Sequence, residues 1–257
     1  MYDSLPDAVR VESDGPVRIV RLCRPAQLNA VNDDLHLGLT RVFPLLSADS
    51  DARAAVITGE GRAFSAGGDF DLLDRMAKDR GLRRDVIAEG RELVLNMIRC
   101  RVPVVAAVNG PAVGLGCSVI ALSDVVYMAE SAYLADPHVA VGLVAADGGP
   151  LTWPLHTSLL LAKEYAFTGD RISAARAAQI GLANHVCPDG EVFPAALAAA
   201  RKIAALPRQA VEATKRVLNL HVERSVLATI DFALAAETES FDTPELRANL
   251  DRFLGRK

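Results

Sequence analysis

Apolar and polar residues alternate along Val17-Arg18-Ile19-Val20-Arg21-Leu22, the period-two pattern of a strand with one buried face. Asn32-Asp33-Asp34 opens a predicted helix that runs to residue 46, with Asn32 as its N-cap. A short apolar run at 54–58 reads as a buried strand. The period then changes. Residues 85–99 predict an amphipathic helix that buries Val86, Leu93, Leu95 and Ile98. A second buried strand is predicted at 104–108, a buried helix at 114–122, and short strands at 125–129 and 132–134. Strands alternating with helices predict an α/β core around a parallel sheet. Between them, residues 75–84 are densely charged and read as a mobile segment.

Past about Pro150 the strand signal fades. Helices are predicted at 159–167, 174–180, 192–205, 209–220 and 225–240, punctuated by Pro154, Gly169, Pro188 and Pro207. No low-complexity linker and no sequence repeat divides the chain. The expected organisation is one catalytic unit, with a core over 1–195 and a helical region over 196–257.

Composition acts mainly by exclusion. The 257 residues are 51% hydrophobic and 23% charged, an ordinary globular balance. A net charge of −4 gives no basic footprint for nucleic acid. The most apolar run, 102–113, is interrupted by Pro103, Asn109 and Gly110, so no membrane span is expected. The first residues lack a basic region followed by an apolar one, so no signal peptide is expected. Cys23, Cys100, Cys117 and Cys187 form no CxxC pair, which suits free thiols in a reducing cytoplasm. His36, His156, His185 and His221 show no ligand spacing, and no metal is expected.

Two segments carry the candidate chemistry: Phe64-Ser65-Ala66-Gly67-Gly68-Asp69, and Val108-Asn109-Gly110-Pro111-Ala112-Val113-Gly114-Leu115-Gly116-Cys117-Ser118. Each is a glycine-rich turn beside a strand-like run. Glycine lets the backbone turn sharply and approach a ligand closely. Two such turns can aim two backbone N–H groups at one oxygen. That arrangement is an oxyanion hole, in which each donor is worth about 3–4 kcal/mol of transition-state stabilisation.

These segments resemble the crotonase superfamily, also called the enoyl-CoA hydratase/isomerase family. The likeness begins at Arg24-Pro25-Ala26-Gln27-Leu28-Asn29-Ala30-Val31 and continues through Ile57-Thr58-Gly59, both glycine segments and Ser123-Asp124-Val125-Val126. It ends at Phe167-Thr168-Gly169-Asp170, Ala174-Ala175-Arg176-Ala177, Ile180-Gly181-Leu182-Ala183-Asn184-His185-Val186 and Phe253. The resemblance implies a ClpP/crotonase-like spiral of ββα units with a C-terminal helical trimerisation region, assembled as a homotrimer or a dimer of trimers. It implies an acyl-CoA thioester substrate, with coenzyme A part of the substrate and no separate cofactor. By position, the N–H groups of Gly68 and Leu115 become the oxyanion donors. The family usually has glycine at the second place, and Leu115 keeps the backbone donor. Substrate contacts carry over onto Gln27, Leu28, Ala30, Ala66, Asp69, Phe70 and Ser118. Arg24 reads either as a contact to a CoA phosphate or as a solvated surface arginine. Arg256 and Lys257 read as a frayed end or as a reach to a neighbouring subunit's CoA.

The chain departs from the family at its acid–base pair. A hydratase of this family uses two glutamates, one ending the second glycine segment and one following a proline a strand later. Here Ser118 and His138 stand at those places. Serine is a poor base without an activating partner. An unperturbed imidazole titrates near 6.5, which suits proton transfer at neutral pH. Asp147, in Ala146-Asp147-Gly148-Gly149, reads either as a turn residue or as the carboxylate that orients His138. Pro137-His138, Asp147-Gly148 and Trp153-Pro154 are similar to the 6-oxocamphor hydrolase branch, which cleaves a β-diketone by a retro-Claisen reaction. Glu237 resembles a glutamate of the family's C-terminal helices with a structural or intersubunit role, and in that branch it would reach the pocket. Three readings follow. The first is an enoyl-CoA hydratase/isomerase-type lyase or isomerase. The second is a C–C bond hydrolase of a β-diketone or β-ketoacyl-CoA. The third is a non-catalytic acyl-CoA-binding paralogue.

Overall fold

The computed structural model describes residues 1–256; the reading of Lys257 as a CoA contact lies outside the described residues. Nine strands are described: β1 Val9–Asp14, β2 Val17–Leu22, β3 Ala54–Gly59, β4 Val104–Val108, β5 Ala112–Val113, β6 Val125–Ala129, β7 Tyr133–Ala135, β8 Ile172–Ser173 and β9 His185–Cys187. The helices of the first half are α1 Asp33–Ala48, α2 Phe70–Lys78, α3 Arg80–Arg99, α4 Leu115–Ala121 and α5 His138–Val141. Those of the second half are α6 Gly149–His156, α7 Leu159–Thr168, α8 Ala174–Ile180, α9 Val192–Ala204, α10 Arg208–Leu227, α11 Ile230–Ser240 and α12 Pro244–Phe253.

The main sheet runs β1-β2-β3-β4-β6-β9. Only β1 and β2 are antiparallel; every later neighbour is parallel. A second, smaller sheet runs β5-β7-β8. The chain alternates between the two. After β4 it crosses to β5 and enters α4; after β6 it crosses to β7 and enters α5. Each turn of the coil is thus a strand in one layer, a strand in the next and a helix.

The interior strands β3 and β4 are buried at every residue. Against β3, β4 and β6 lies α9, through the stripe Ala196, Ala200 and Ala204. Small side chains at a spacing of four let this helix approach the sheet closely. Position 195/196 falls inside α9, so a division there would cut a helix packed on the main sheet.

Local chemistry explains the element ends. Asn32 accepts from the Leu35 N–H and caps α1, as its side chain and position predict, a contribution of about 1 kcal/mol. The expectation of a half-buried β2 is corrected: Val17, Arg18, Ile19, Val20 and Leu22 are all buried. The strand lies between β1 and β3, and Arg18 is satisfied by the Asp49 carboxylate at 2.6 Å. The expectation of a mobile charged segment at 75–84 is corrected too. Asp79 caps α3 by accepting from Gly81 and Leu82, so the helix begins at Arg80 rather than 85. Arg83 is buried and donates to the carbonyls of Met76, Ala77 and Thr238 and to Asp242. The long helix expected at 225–240 is broken near Thr229, whose hydroxyl donates to the Ser225 carbonyl. Sequence periodicity also missed β1, α6 and α12, and it placed no strand at β9.

Candidate active site

The site is assembled by stacking successive turns of the coil. Val31 bridges Gly68, Ser65 bridges Ala112, and β5 pairs with β7. Residues 66–68, 114–115 and 137–138 therefore end side by side at the wall of one cavity. Gly67 sits at φ +87°, and a β-carbon there would lie 2.9 Å from the Val113 carbonyl oxygen. Gly114 sits at φ +50°, and a β-carbon there would lie 3.6 Å from both Gly67 Cα and His138 Cε1. Gly67 is required by both its positive φ and the close approach, and Gly114 by its positive φ alone.

This stacking leaves two N–H groups unused. The Val31 N–H donates to the Gly67 carbonyl at 2.7 Å, and the Asp69 N–H donates to the Val31 carbonyl at 3.0 Å. That parallel pairing turns the Gly68 N–H away from Val31. Leu115 is the first residue of α4, where an N–H has no intrahelical acceptor. Among the described residues neither the Gly68 nor the Leu115 N–H finds an acceptor, and both residues line the cavity.

The neighbouring turn 24–30 is held by Asn29, whose part the sequence did not reveal. Its buried amide accepts from the Arg24 N–H at 2.8 Å and donates to the carbonyls of Glu60 and Ala63 at 2.9 Å. Leu28 and Asn29 both adopt left-handed backbone, at φ 53° and 55°. The Leu28 carbonyl takes the Ala66 N–H and the Asn29 carbonyl takes the Ser65 hydroxyl, so this uncommon geometry is locked onto the first glycine turn. The reading of Arg24 as a solvated surface arginine is corrected. It is half-buried and donates to the Ala30 carbonyl and to Asp69 at 3.1 Å. Asp69 also caps α2, accepting from Asp71.

Beside these donors stands a wall of titratable groups. The His138 Nδ1 is bonded to Asp136, a carboxylate 1% exposed. Its Nε2 faces Asp147 Oδ2 at 3.8 Å. The Ser118 hydroxyl donates to Asp147 Oδ1 at 2.8 Å. Glu237 reaches the same cavity from α11 and has no hydrogen-bond partner among the described residues. Burial alone would lower the His138 pKa. The charges of Asp136 and Asp147, the Asp136 hydrogen bond and the Glu237 charge outweigh it and push the imidazole up to about 10. Burial of Asp136 is likewise outweighed by His138, and its carboxyl titrates below the usual range. Glu237 moves the other way. Burial, and then the Asp147 charge, raise it to about 8 against the pull of His138.

Two expectations change accordingly. The imidazole is oriented by Asp136, two residues before it, rather than by Asp147. It is also protonated at neutral pH, which makes it an acid where an unperturbed histidine would be a base. Asp136 was visible in Ala135-Asp136-Pro137-His138, but nothing in the spacing marked it as a partner.

Of the predicted residues, Ala66, Gly68, Phe70, Leu115, His138 and Asp147 line the cavity together. Phe70 also stacks on Phe253, with ring centroids 4.5 Å apart. Gln27, Leu28 and Ala30 lie on the turn beside Ala66 and do not line it. Ser118 is buried beneath Asp147. Arg256 pairs with Asp74 of its own chain at 2.8 Å, which ties this residue down rather than leaving it frayed.

A coil of ββα turns whose glycine bends place two free backbone donors at one cavity defines the class: an α/β coil with its cavity at the seam between successive turns. The chain belongs to the enoyl-CoA hydratase/isomerase family, whose profile matches residues 12–257. It is 32% identical over 234 residues to the short-chain-enoyl-CoA hydratase of Clostridium acetobutylicum, covering 91% of this chain and 87% of that one. It is 33% identical over 238 residues to the human mitochondrial Delta(3,5)-Delta(2,4)-dienoyl-CoA isomerase, covering 88% of this chain and 73% of that one. Among solved structures, an enoyl-CoA hydratase/isomerase from Mycobacterium paratuberculosis superposes with a TM-score of 0.95 at 63% identity, covering 97% of this chain and 99% of that one. The expected crotonase superfamily and its α/β fold are borne out. Among the described residues no helix is long and apolar enough to cross a membrane.

Proposed function

We propose that this protein forms and reprotonates the enolate of an acyl-CoA thioester. The N–H groups of Gly68 and Leu115 hold the thioester oxygen as charge develops on it. Asp147, fixed by Ser118, accepts the proton from the α-carbon, and the His138 imidazolium returns one. Asp136 holds the ring so that Nε2–H faces the cavity. The turn carrying Gln27, Leu28 and Ala30 takes the nucleotide end of CoA. One observation carries this reading: two acceptor-free backbone donors from separate turns line the same cavity as an imidazole held between two carboxylates. The hydratase and isomerase names of the relatives agree with it.

The test is deuterium exchange at the α-carbon of a saturated acyl-CoA in heavy water, followed by NMR. Exchange that is fast in the wild type and lost in Asp147→Asn supports the reading. Tight binding with no exchange would sink it in favour of an acyl-CoA-binding paralogue.

A second reading is favoured by one feature, the presence of two proton donors, the His138 imidazolium and the protonated Glu237. In a retro-Claisen cleavage, water adds to the β-keto carbonyl and loses a proton to Asp147. The C–C bond then breaks, its electron pair leaves as the thioester enolate, and a donor protonates that carbon. The products from a β-ketoacyl-CoA are a carboxylic acid and a shortened acyl-CoA. Release of that acid, detected by mass spectrometry, separates this reading from hydration and isomerisation.

The reading includes a homotrimer or dimer of trimers. The exposure of Leu160 on α7, Val217 and Leu218 on α10 and Phe232 on α11 supports it. Light scattering at micromolar concentration tests it.

A further inference from the structure

His36 stands in the wall of the same cavity, on α1, away from the acid–base groups described above. It is 6% exposed. Its Nδ1 is 3.0 Å from Glu89 Oε2, on α3. Its Nε2 has no partner among the described residues, and a β-carbon built at Gly90 of α3 would lie 3.9 Å from it. The cavity wall near α2 and α3 is otherwise apolar: Leu72, Leu73, Met76, Val86 and Ile87. A polar atom in such a wall is satisfied only by water or by a polar group of whatever enters the cavity. Glu89 is acceptor-only when ionised, so the Nδ1–H donates to it. In the tautomer that carries its proton on Nδ1, the ring presents Nε2 as an acceptor.

We infer that His36 is a specificity-determining residue, and that the acyl part of the substrate carries a hydroxyl group that donates to its Nε2. This rests on the acyl-CoA reading above and deepens it from a plain acyl chain to a hydroxylated one. Glu89 positions the ring. Gly90 leaves room beside Nε2 for the hydroxyl oxygen.

The experiment measures binding rather than turnover. Saturated acyl-CoAs are compared by calorimetry with isosteres in which a hydroxyl replaces a methyl at successive positions of the chain. One position is expected to bind about tenfold tighter than its methyl counterpart. That gain is expected to vanish in His36→Leu and to return in part in His36→Gln, which keeps an acceptor. If the wild type prefers no hydroxylated ester, or if the preference survives in His36→Leu, the inference falls. If no CoA ester binds at all, the thioester reading falls and takes this inference with it.

Discussion

The two walls of the cavity are made of different materials. One is backbone: Gly67, Gly68, Gly114 and Leu115 contribute N–H groups and bends, and their side chains matter little. The other is side chain: Asp136, His138, Asp147 and Glu237 are titratable, and the three carboxyl groups hold the His138 imidazole high while His138 holds Asp136 low. The backbone wall is set by local geometry that glycine alone permits. The charged wall is set by packing, because it joins the end of β7, the loop before α6 and the middle of α11. Removing a donor from the first wall should therefore slow catalysis at every pH, whereas replacing the groups that tune His138 on the second should move it along the pH axis.

The largest effect is expected where a backbone donor is removed without disturbing the helix behind it. Proline is tolerated at the first residue of a helix, where the N–H has no internal partner. Leu115 occupies that place in α4. Leu115→Pro should slow α-proton exchange by about 10²–10³-fold, whereas Leu115→Ala, which keeps the N–H, should retain most of the rate. Equal losses in the two variants would assign the role to the leucine side chain and break the comparison.

On the charged wall, the expected change is one of pH. The imidazolium persists up to about 10 because Asp136, Asp147 and Glu237 stabilise it against burial. The alkaline limb of kcat/KM should therefore lie near there. Asp136→Asn keeps an acceptor for Nδ1–H but removes the charge. The limb should move down by about 1–3 units. An unmoved limb would mean that His138 does not govern the rate.

These walls differ also in how well the sequence announced them. The backbone wall was legible because glycine at a turn has a narrow set of physical reasons, and two such turns beside apolar runs share only a few of them. His138 and Asp147 were legible as positions but not as chemistry. An imidazole's pKa depends on what surrounds it in space, and Asp136 and Glu237 are brought there by the coil and by α11. Arg83 shows the same limit. Its charged neighbourhood suggested mobility, and only the fold supplies the three carbonyls and one carboxylate that bury it. The strand–helix alternation of the core was legible from periodicity. The small sheet was less so, because strands of two or three residues carry almost no period.

A smaller effect is expected on stability. Glu237 titrates near 8 in the folded chain, above an ordinary glutamate at 4.5. A folded pKa raised in this way gives stability that is full below about 4.5 and is lost as pH rises through 8. Glu237→Gln removes that loss. Relative to the wild type, the variant should melt higher at pH 8.5 than at pH 5, as read by the difference in Tm at the two values. The same difference at both pH values would mean that Glu237 is solvated rather than pressed against the charged wall.

The smallest effect is expected at Ser118, the residue that joins the two walls. It lies in α4 behind Leu115, and its hydroxyl donates to Asp147 at 2.8 Å. Its replacement separates support from chemistry. If the hydroxyl only holds Asp147, Ser118→Ala costs about 1 kcal/mol of ordering, a few-fold in α-proton exchange, with the pH profile in place. Alanine adds no volume against Gly148, which packs on Ser118, so the variant should fold. A loss as large as that of Leu115→Pro would instead make the serine a proton carrier. The catalytic centre would then shift from the His138–Asp147 wall to the helix that begins at the oxyanion donor.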